Sequence, residues 1–271
     1  MLAEDLLKSG DVSGALKELA KAVRAKPSEA RLRIFLFQLL CVTGDWDRAI
    51  RQLKLSAELD PAAVPMAQAY REAIICELYR EKVFAGEKAP LVFGQPHRWI
   101  ALMIEALRPL AAGEVSRAAD LRAEAFELAP AVPGQADEKP FAWIADADSR
   151  LGPVLEVIVD GKYYWAPFGA IASLSFDEPS DLRDRVWTPV EIRWANGGEV
   201  IGFIPTRYPF TARDGDDAQR LARATAWRDL GAETYAGLGQ RVLATDADDL
   251  ALMDLRRVSF DTGAAAEDAD G

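Results

Sequence analysis

The chain has 271 residues and a single His, and its 32 Lys and Arg against 43 Asp and Glu give a formal charge of −11. That balance disfavours nucleic acid, whose phosphates need a basic face, and anionic membrane surfaces for the same reason. Half of the residues are apolar and 28% are charged, a packed composition with room for two domains.

The start, Met1-Leu2-Ala3-Glu4-Asp5, lacks the basic and apolar regions of a secretory signal. Three tracts then repeat one pattern: Gly10-Asp11-Val12-Ser13-Gly14-Ala15, Gly44-Asp45-Trp46-Asp47-Arg48-Ala49 and Gly113-Glu114-Val115-Ser116-Arg117-Ala118. Each reads Gly, acid, three variable residues, Ala, and each meets a proline 17 residues after its Gly, at Pro27, Pro61 and Pro130. The first two are offset by 34 residues, the tetratricopeptide period, and the third by about two further periods. Gly permits the left-handed end of one helix, the acid favours the start of the next, Ala lets the two cross closely, and proline ends the second. Ala15, Leu16, Leu19, Ala22 and Val23 keep helical spacing, as do Ala49, Ile50, Leu53, Ser56 and Ala57. Residues 65–84 read as one long helix carrying Ala69, Tyr70, Ala73, Ile74, Glu77 and Leu78, followed by a looser stretch over 85–95 in place of a partner helix. Cys41 and Cys76 fall in these apolar patterns and read as buried free thiols of a cytoplasmic protein. Residues 1–130 are therefore expected to form a tetratricopeptide-like helical solenoid that binds peptides or helices along its concave face.

Residues 131–140 read as a linker, and from Phe141 onward the period changes. Val154–Val159 runs into Asp160-Gly161 and returns as Lys162-Tyr163-Tyr164-Trp165, a hairpin with a two-residue turn. A second hairpin pairs 190–194 with 199–204 around Asn196-Gly197-Gly198, and further strands are expected at 171–176, 242–245 and 252–260. The longest uncharged run, 163–176, has 14 residues broken by Pro167 and Gly169, against about 20 for a membrane span. The sequence thus predicts an α+β chain whose second domain, 141–260, is a small, strongly curved antiparallel sheet or barrel. Residues 211–219 read as a mobile polar loop and 261–271 as a disordered acidic tail.

Chemistry is sparse. One His excludes His-paired zinc sites, and no Walker A, GxSxG, GxGxxG or CxxC occurs. His97 reads as a residue near a helix start. Asp146-Ala147-Asp148-Ser149-Arg150 begins like a calcium loop but puts Arg150 at the fifth position, where a metal needs an oxygen. Asp146, Asp148 and Glu156 are the one carboxylate set suited to acid–base hydrolysis; alternatively, Asp146 and Asp148 orient Arg150 and cap a turn. Arg183, within Asp181-Leu182-Arg183-Asp184-Arg185, fixes a turn or belongs to a recognition patch. Trp143, Trp165, Trp187 and Trp194 read as β-domain core, with one or two as partner anchors, because aromatic and Arg residues dominate interface hot spots. The candidate partner contacts are Trp143, Asp146, Asp148, Arg150, Arg183, Trp187, Arg207, Tyr208 and Arg241. No catalytic residue, cofactor or metal is expected.

The tract from Trp143 to Glu156, WIADADSRLGPVLE, resembles the ImpE-like (TagJ or SciE-type) family of bacterial type VI secretion clusters. So do Gly161-Lys162-Tyr163-Tyr164-Trp165-Ala166-Pro167-Phe168, Asp181-Leu182-Arg183-Asp184, Pro205-Thr206-Arg207-Tyr208-Pro209 and Gly237-Leu238-Gly239-Gln240-Arg241, in the same order. Residues 223–227 depart from the pattern at Ala226, where an acid is expected. The resemblance covers nearly the whole chain. It implies a non-enzymatic cytoplasmic accessory protein that binds the N-terminal helix of the small sheath subunit (TssB) and is linked to the sheath-recycling ATPase (ClpV). The charge of −11 adds the expectation of a partly basic, amphipathic partner helix, captured faster at low salt. Two other readings stand beside this one: a hydrolase or small-ligand module using Asp146, Asp148 and Glu156, and a generic peptide-binding chaperone.

Overall fold

The computed structural model describes residues 2–95 and 97–262. The helical half comprises α1 (Leu2–Ser9), α2 (Val12–Ala25), α3 (Ala30–Thr43), α4 (Trp46–Leu59), α5 (Val64–Phe84), α6 (Arg98–Ala111) and α7 (Val115–Leu128). The three repeat tracts form one and the same turn. At Gly10, Gly44 and Gly113 φ is 88°, 74° and 82°. In each, the glycine amide donates to the carbonyl three residues back, and the following amide reaches five back: Asp11 to Leu6 at 2.8 Å, Asp45 to Leu40 at 2.9 Å, Glu114 to Pro109 at 2.8 Å. This arrangement satisfies the orphan carbonyls of the first helix and aims the chain into the second. Asp11 and Asp45 then cap the second helices by accepting from the Gly14 and Arg48 amides.

Ala15, Ala49 and Ala118 are fully buried where the paired helices cross. Ala49→Leu or Ala118→Leu is therefore expected to overpack the crossing and cost about 1–3 kcal/mol, read as a lowered thermal midpoint. An unchanged midpoint in both variants would mean that neither alanine sits at a tight crossing. The long helix α5 stands where expected. Its missing partner is replaced by a connection holding β1 (Leu91–Val92), which pairs in parallel with a strand of the second half.

That half contains β2 (Gly134–Ala136), β3 (Lys139–Phe141), β4 (Ile144–Asp146), β5 (Val154–Val159), β6 (Lys162–Pro167), β7 (Ile171–Ser175), β8 (Trp187–Trp194) and β9 (Glu199–Pro205). Two short helices follow, α8 (Thr211–Asp214) and α9 (Asp217–Arg220). Then come β10 (Thr225–Asp229), β11 (Tyr235–Gly239), β12 (Val242–Thr245), β13 (Asp249–Ala251) and β14 (Arg257–Phe260). The main sheet runs β1-β6-β5-β9-β8-β7-β14-β2-β3, with β13-β12-β4 and β10-β11 as smaller sheets. Among the described residues its end strands β1 and β3 do not pair with each other, so the sheet is open and not the barrel that the strand spacing suggests. The Asp160-Gly161 turn, with φ of 48° and 67°, joins β5 to β6 as expected.

Three other expectations are corrected. The stretch read as a linker supplies β2 and β3, the end of the main sheet. Of 252–260, only β14 is strand, and Leu252–Asp254 is a 3-10 turn. Residues 211–219 are not a mobile loop: α8 and α9 are docked on the solenoid. The tail expected from 261 lies, from 263 onward, outside the described residues.

The main sheet carries a core on each face. Val154, Ile158, Tyr163, Trp165 and Trp187 pack with the helices, whereas Leu155, Val157, Ile192 and Ile204 pack with Leu243 and Leu252. All six residues of β5 are buried as a result. In α3, residues 36–42 are buried without a gap. One side of that helix meets α2 and α4, and the other meets the turn Leu182–Arg185 and α8. The chain's own β half therefore occupies the face of α3 that a free solenoid would offer to a peptide. A strap from that half ties the first two glycine turns. Arg207 donates to the carbonyls of Val42 and Cys41 at 2.8 and 3.2 Å, and Arg223 to those of Leu7 and Lys8 at 2.9 and 3.2 Å. Each guanidinium meets a helix C-terminus, where the dipole favours a cation. The Asp217 carboxylate accepts from the Val12 amide at the start of α2. Gly44 must be small here, because a Cβ on it would lie 2.8 Å from the Ala212 Cβ.

Candidate functional site

Two features compete for the role of functional site. The first is a buried cluster of charges between α5 and the sheet. Glu156, on β5, is wholly buried. Arg80 of α5 grips it with two hydrogen bonds, Nε to Oε1 at 2.6 Å and Nη2 to Oε2 at 2.7 Å, and donates from Nη1 to Glu77 at 3.3 Å. The Tyr163 hydroxyl donates to Glu156 and accepts from the Trp165 indole at 2.8 Å. Arg241 bridges Glu156 and Asp146, and its Nε donates to the Pro205 carbonyl. The Asp148 carboxylate takes the Arg150 Nε at 2.8 Å, the Arg150 amide and the Gly237 amide, while Asp146 accepts from the Asp148 amide. The calcium-like start at Asp146 thus folds into a loop whose cation is Arg150.

Buried charges persist only when paired and hydrogen-bonded, and here they are. Burial works to raise the Glu156 carboxyl, but Arg80 and Arg241 override it and hold it at about 2. Burial pushes Asp146 up to about 7 against the pull of Arg241. A carboxyl held at about 2 does not deliver protons near neutrality, and the side chains of Asp146, Asp148 and Glu156 have no exposure. Glu156 ties the β half to α5 through Arg80, and Asp146 and Asp148 tie the β half together internally; none of the three has the access that hydrolysis requires. Both thiols are likewise internal, and burial raises Cys76 to about 12. Among the described residues no group of His, Cys, Asp or Glu is placed to hold a metal.

The partner contacts expected from sequence divide sharply. Asp146, Asp148, Arg150, Trp187, Arg207, Tyr208 and Arg241 are buried and cannot meet a partner; they hold the fold. Arg183 is half-buried over the Tyr70 ring and paired with Asp181 at 3.1 Å. Trp143 remains, 40% exposed. It belongs to the second feature, a groove of about 440 Å³ between α7 and β4, walled by Trp143 and by Phe126, itself 43% exposed. Gly152 lets the Phe126 ring lie on the backbone beside it. A further depression of about 530 Å³, lined by Phe93, Leu128, Val132 and Phe168, shares Pro130 and Pro153 with the groove. Arg80 and Phe126 escaped the sequence reading. For Arg80 a signal existed in Glu77, three residues earlier, a charge at an apolar position of the α5 pattern; Phe126 offered none, since its spacing fits the solenoid core.

The ImpE protein family matches residues 138–259, and a tetratricopeptide repeat family matches residues 6–74. A type VI secretion system accessory component, TagJ, of Pseudomonas aeruginosa is 52% identical over 261 residues, covering 96% of this chain and 92% of that protein. The crystal structure of protein VPA1032 from Vibrio parahaemolyticus superposes with a TM-score of 0.88 at 27% identity, over 96% of this chain and 97% of the other. The repeats, the ImpE region and the full-length likeness agree: the chain belongs to the TagJ family of type VI secretion accessory proteins.

Proposed function

We propose that the chain is a non-enzymatic, cytoplasmic adaptor of the type VI secretion machine, which binds the N-terminal helix of the small sheath subunit and is linked through the sheath to the recycling ATPase. The observation that carries this reading is the contrast between the two features. Every acid that sequence suggested for chemistry is locked inside, whereas aromatic side chains stand exposed at a concave apolar seam, the form in which proteins receive amphipathic helices. The side of α3 that meets the turn Leu182–Arg185 and α8 is already occupied by the β half. Full-length kinship with an accessory component supports the reading.

The test is a titration of a labelled peptide of the sheath subunit's first helix against the full chain. Saturable binding is expected, with association slowed by added salt, as charge steering requires. Absence of binding, with the chain folded, overturns the proposal. Capture of many unrelated proteins from the native host, with the sheath subunit no more abundant than the rest, points to a general chaperone instead.

A further inference from the structure

We propose that residues 209–223, the strap that carries α8 and α9, are a latch that opens as a unit while the rest of the chain stays folded. Three observations carry this. The first is where the strap begins and ends. The Tyr208 amide donates to the Gly239 carbonyl at 2.9 Å, and the Gln240 amide donates to the Ala224 carbonyl at 3.1 Å. Both ends therefore meet at Gly239-Gln240, and the strap leaves the β half and rejoins it through one neck, in the manner of an Ω-loop. It also holds its own shape. Asp216 and Gln219 cap α9 reciprocally, and Arg220 donates from Nε to the Ala212 carbonyl at 3.0 Å.

The second is strain at both ends. Phe210 has a φ of 67° and Ala222 a φ of 52°, a left-handed backbone that is costly for residues other than Gly, Asn and Asp and most of all for a bulky one. Phe210 stands immediately before α8, and Ala222 immediately before Arg223. The chain is thus bent against its preference just where it reaches the helices. Such strain persists only while contacts hold it, and it is released when they let go.

The third is a thin hold. Thr211, Leu221 and Ala222 are the buried side chains of the strap, and Leu221 is the large apolar one. Beneath Phe210 and Ala212 lies a small space lined by Glu77, Arg80 and Glu81. Polar contacts keep the strap down: Arg223 on the Leu7 and Lys8 carbonyls, Asp217 on the Val12 amide, and the Arg220 carbonyl on Arg207 Nη1 at 2.7 Å. Segments with little buried apolar surface open locally before the molecule unfolds. Arg223 and Asp217 join α1 and α2 to the β half, so opening lets the first repeat move on its own. Anything that binds one state better shifts the balance between them.

Amide exchange of the folded full chain, followed residue by residue by NMR, tests this. Two amides outside the strap donate into it, Val12 to Asp217 at 3.1 Å and Gly239 to the Thr211 hydroxyl at 2.9 Å. They are expected to share one opening constant with Leu221, Ala222 and Arg223, and to exchange well ahead of β5 and β8. Arg223→Ala is expected to speed this group about tenfold and leave β5 and β8 unchanged, with Arg223→Lys between. Arg223 is exposed, so both variants should fold, which circular dichroism and melting check. A strap that exchanges only with β5 and β8 is a fixed part of the fold, and the proposal falls. Strap amides that exchange while Val12 and Gly239 stay protected show fraying residue by residue, which overturns it too. So does an Arg223→Ala chain whose rates match wild type. None of these outcomes bears on whether the sheath helix binds.

Discussion

Glu156→Gln is expected to lower stability by about 3–5 kcal/mol, the cost of removing one partner from a buried ion cluster. The amide is nearly isosteric, so packing is kept. What changes is that Arg80 and Arg241, both buried, lose the negative charge they share. The pH dependence provides a second signature. The folded carboxyl sits at about 2, below the unfolded value of about 4.3, so the unfolded chain binds the extra proton between those values. Stability from this group is complete above about pH 4.3 and is lost as pH falls toward 2; the variant lacks that loss. Asp146 works in the opposite sense. Its folded value of about 7 lies above the unfolded one, so its contribution favours the fold most below about pH 4 and declines as pH rises through 7. Asp146→Asn is therefore expected to cost far less than Glu156→Gln at pH 7, since Arg241 keeps Glu156. Denaturant titrations of both variants from pH 3 to 8 read these slopes. Equal losses with parallel pH profiles would contradict the assignment of Glu156 as the centre of the cluster.

Local rules made much of the architecture readable. The glycine turns, the buried alanines, the terminating prolines and the Asp160-Gly161 hairpin are set by neighbours in the chain, and all stand where the spacing put them. The site was less readable, because its meaning depends on which half lies against which. Arg207 and Tyr208 look like a recognition pair in the sequence. In the structure Arg207 caps the end of α3 while the Tyr208 hydroxyl bridges the amide and carbonyl of Val242. No spacing rule links residue 207 to residue 42, or residue 80 to residue 156. The open sheet is illegible for a related reason: short strands with Gly and Pro turns are common to barrels and open sheets, and the ends of this one are set by β1, contributed from the helical half, and by β3, from the stretch that reads as a linker.

Trp187 is a second point at which the two halves depend on each other, and Trp187→Ala is expected to cost about 3–5 kcal/mol. The side chain is fully buried in a cluster with Trp46 and Tyr70, at ring distances of 6.0 and 5.8 Å, and its indole donates to Glu77 at 3.2 Å. Truncation empties the space between α4, α5 and the start of β8 and takes the hydrogen bond from a buried carboxylate that Arg80 must then hold alone. In a chain of this length each kcal/mol corresponds to about 2–4 °C, so the thermal midpoint should fall by about 10 °C. Trp187→Phe keeps most of the apolar contact and loses the donor, so its midpoint should lie between the two. Binding of the sheath helix, measured well below the new midpoint, should be unchanged, because Trp187 is buried against α4 and α5 and does not line the groove. A Trp187→Ala chain that melts like wild type but no longer binds would return this residue to the interface, and with it the view that the β half recognises its partner through the residues it keeps inside.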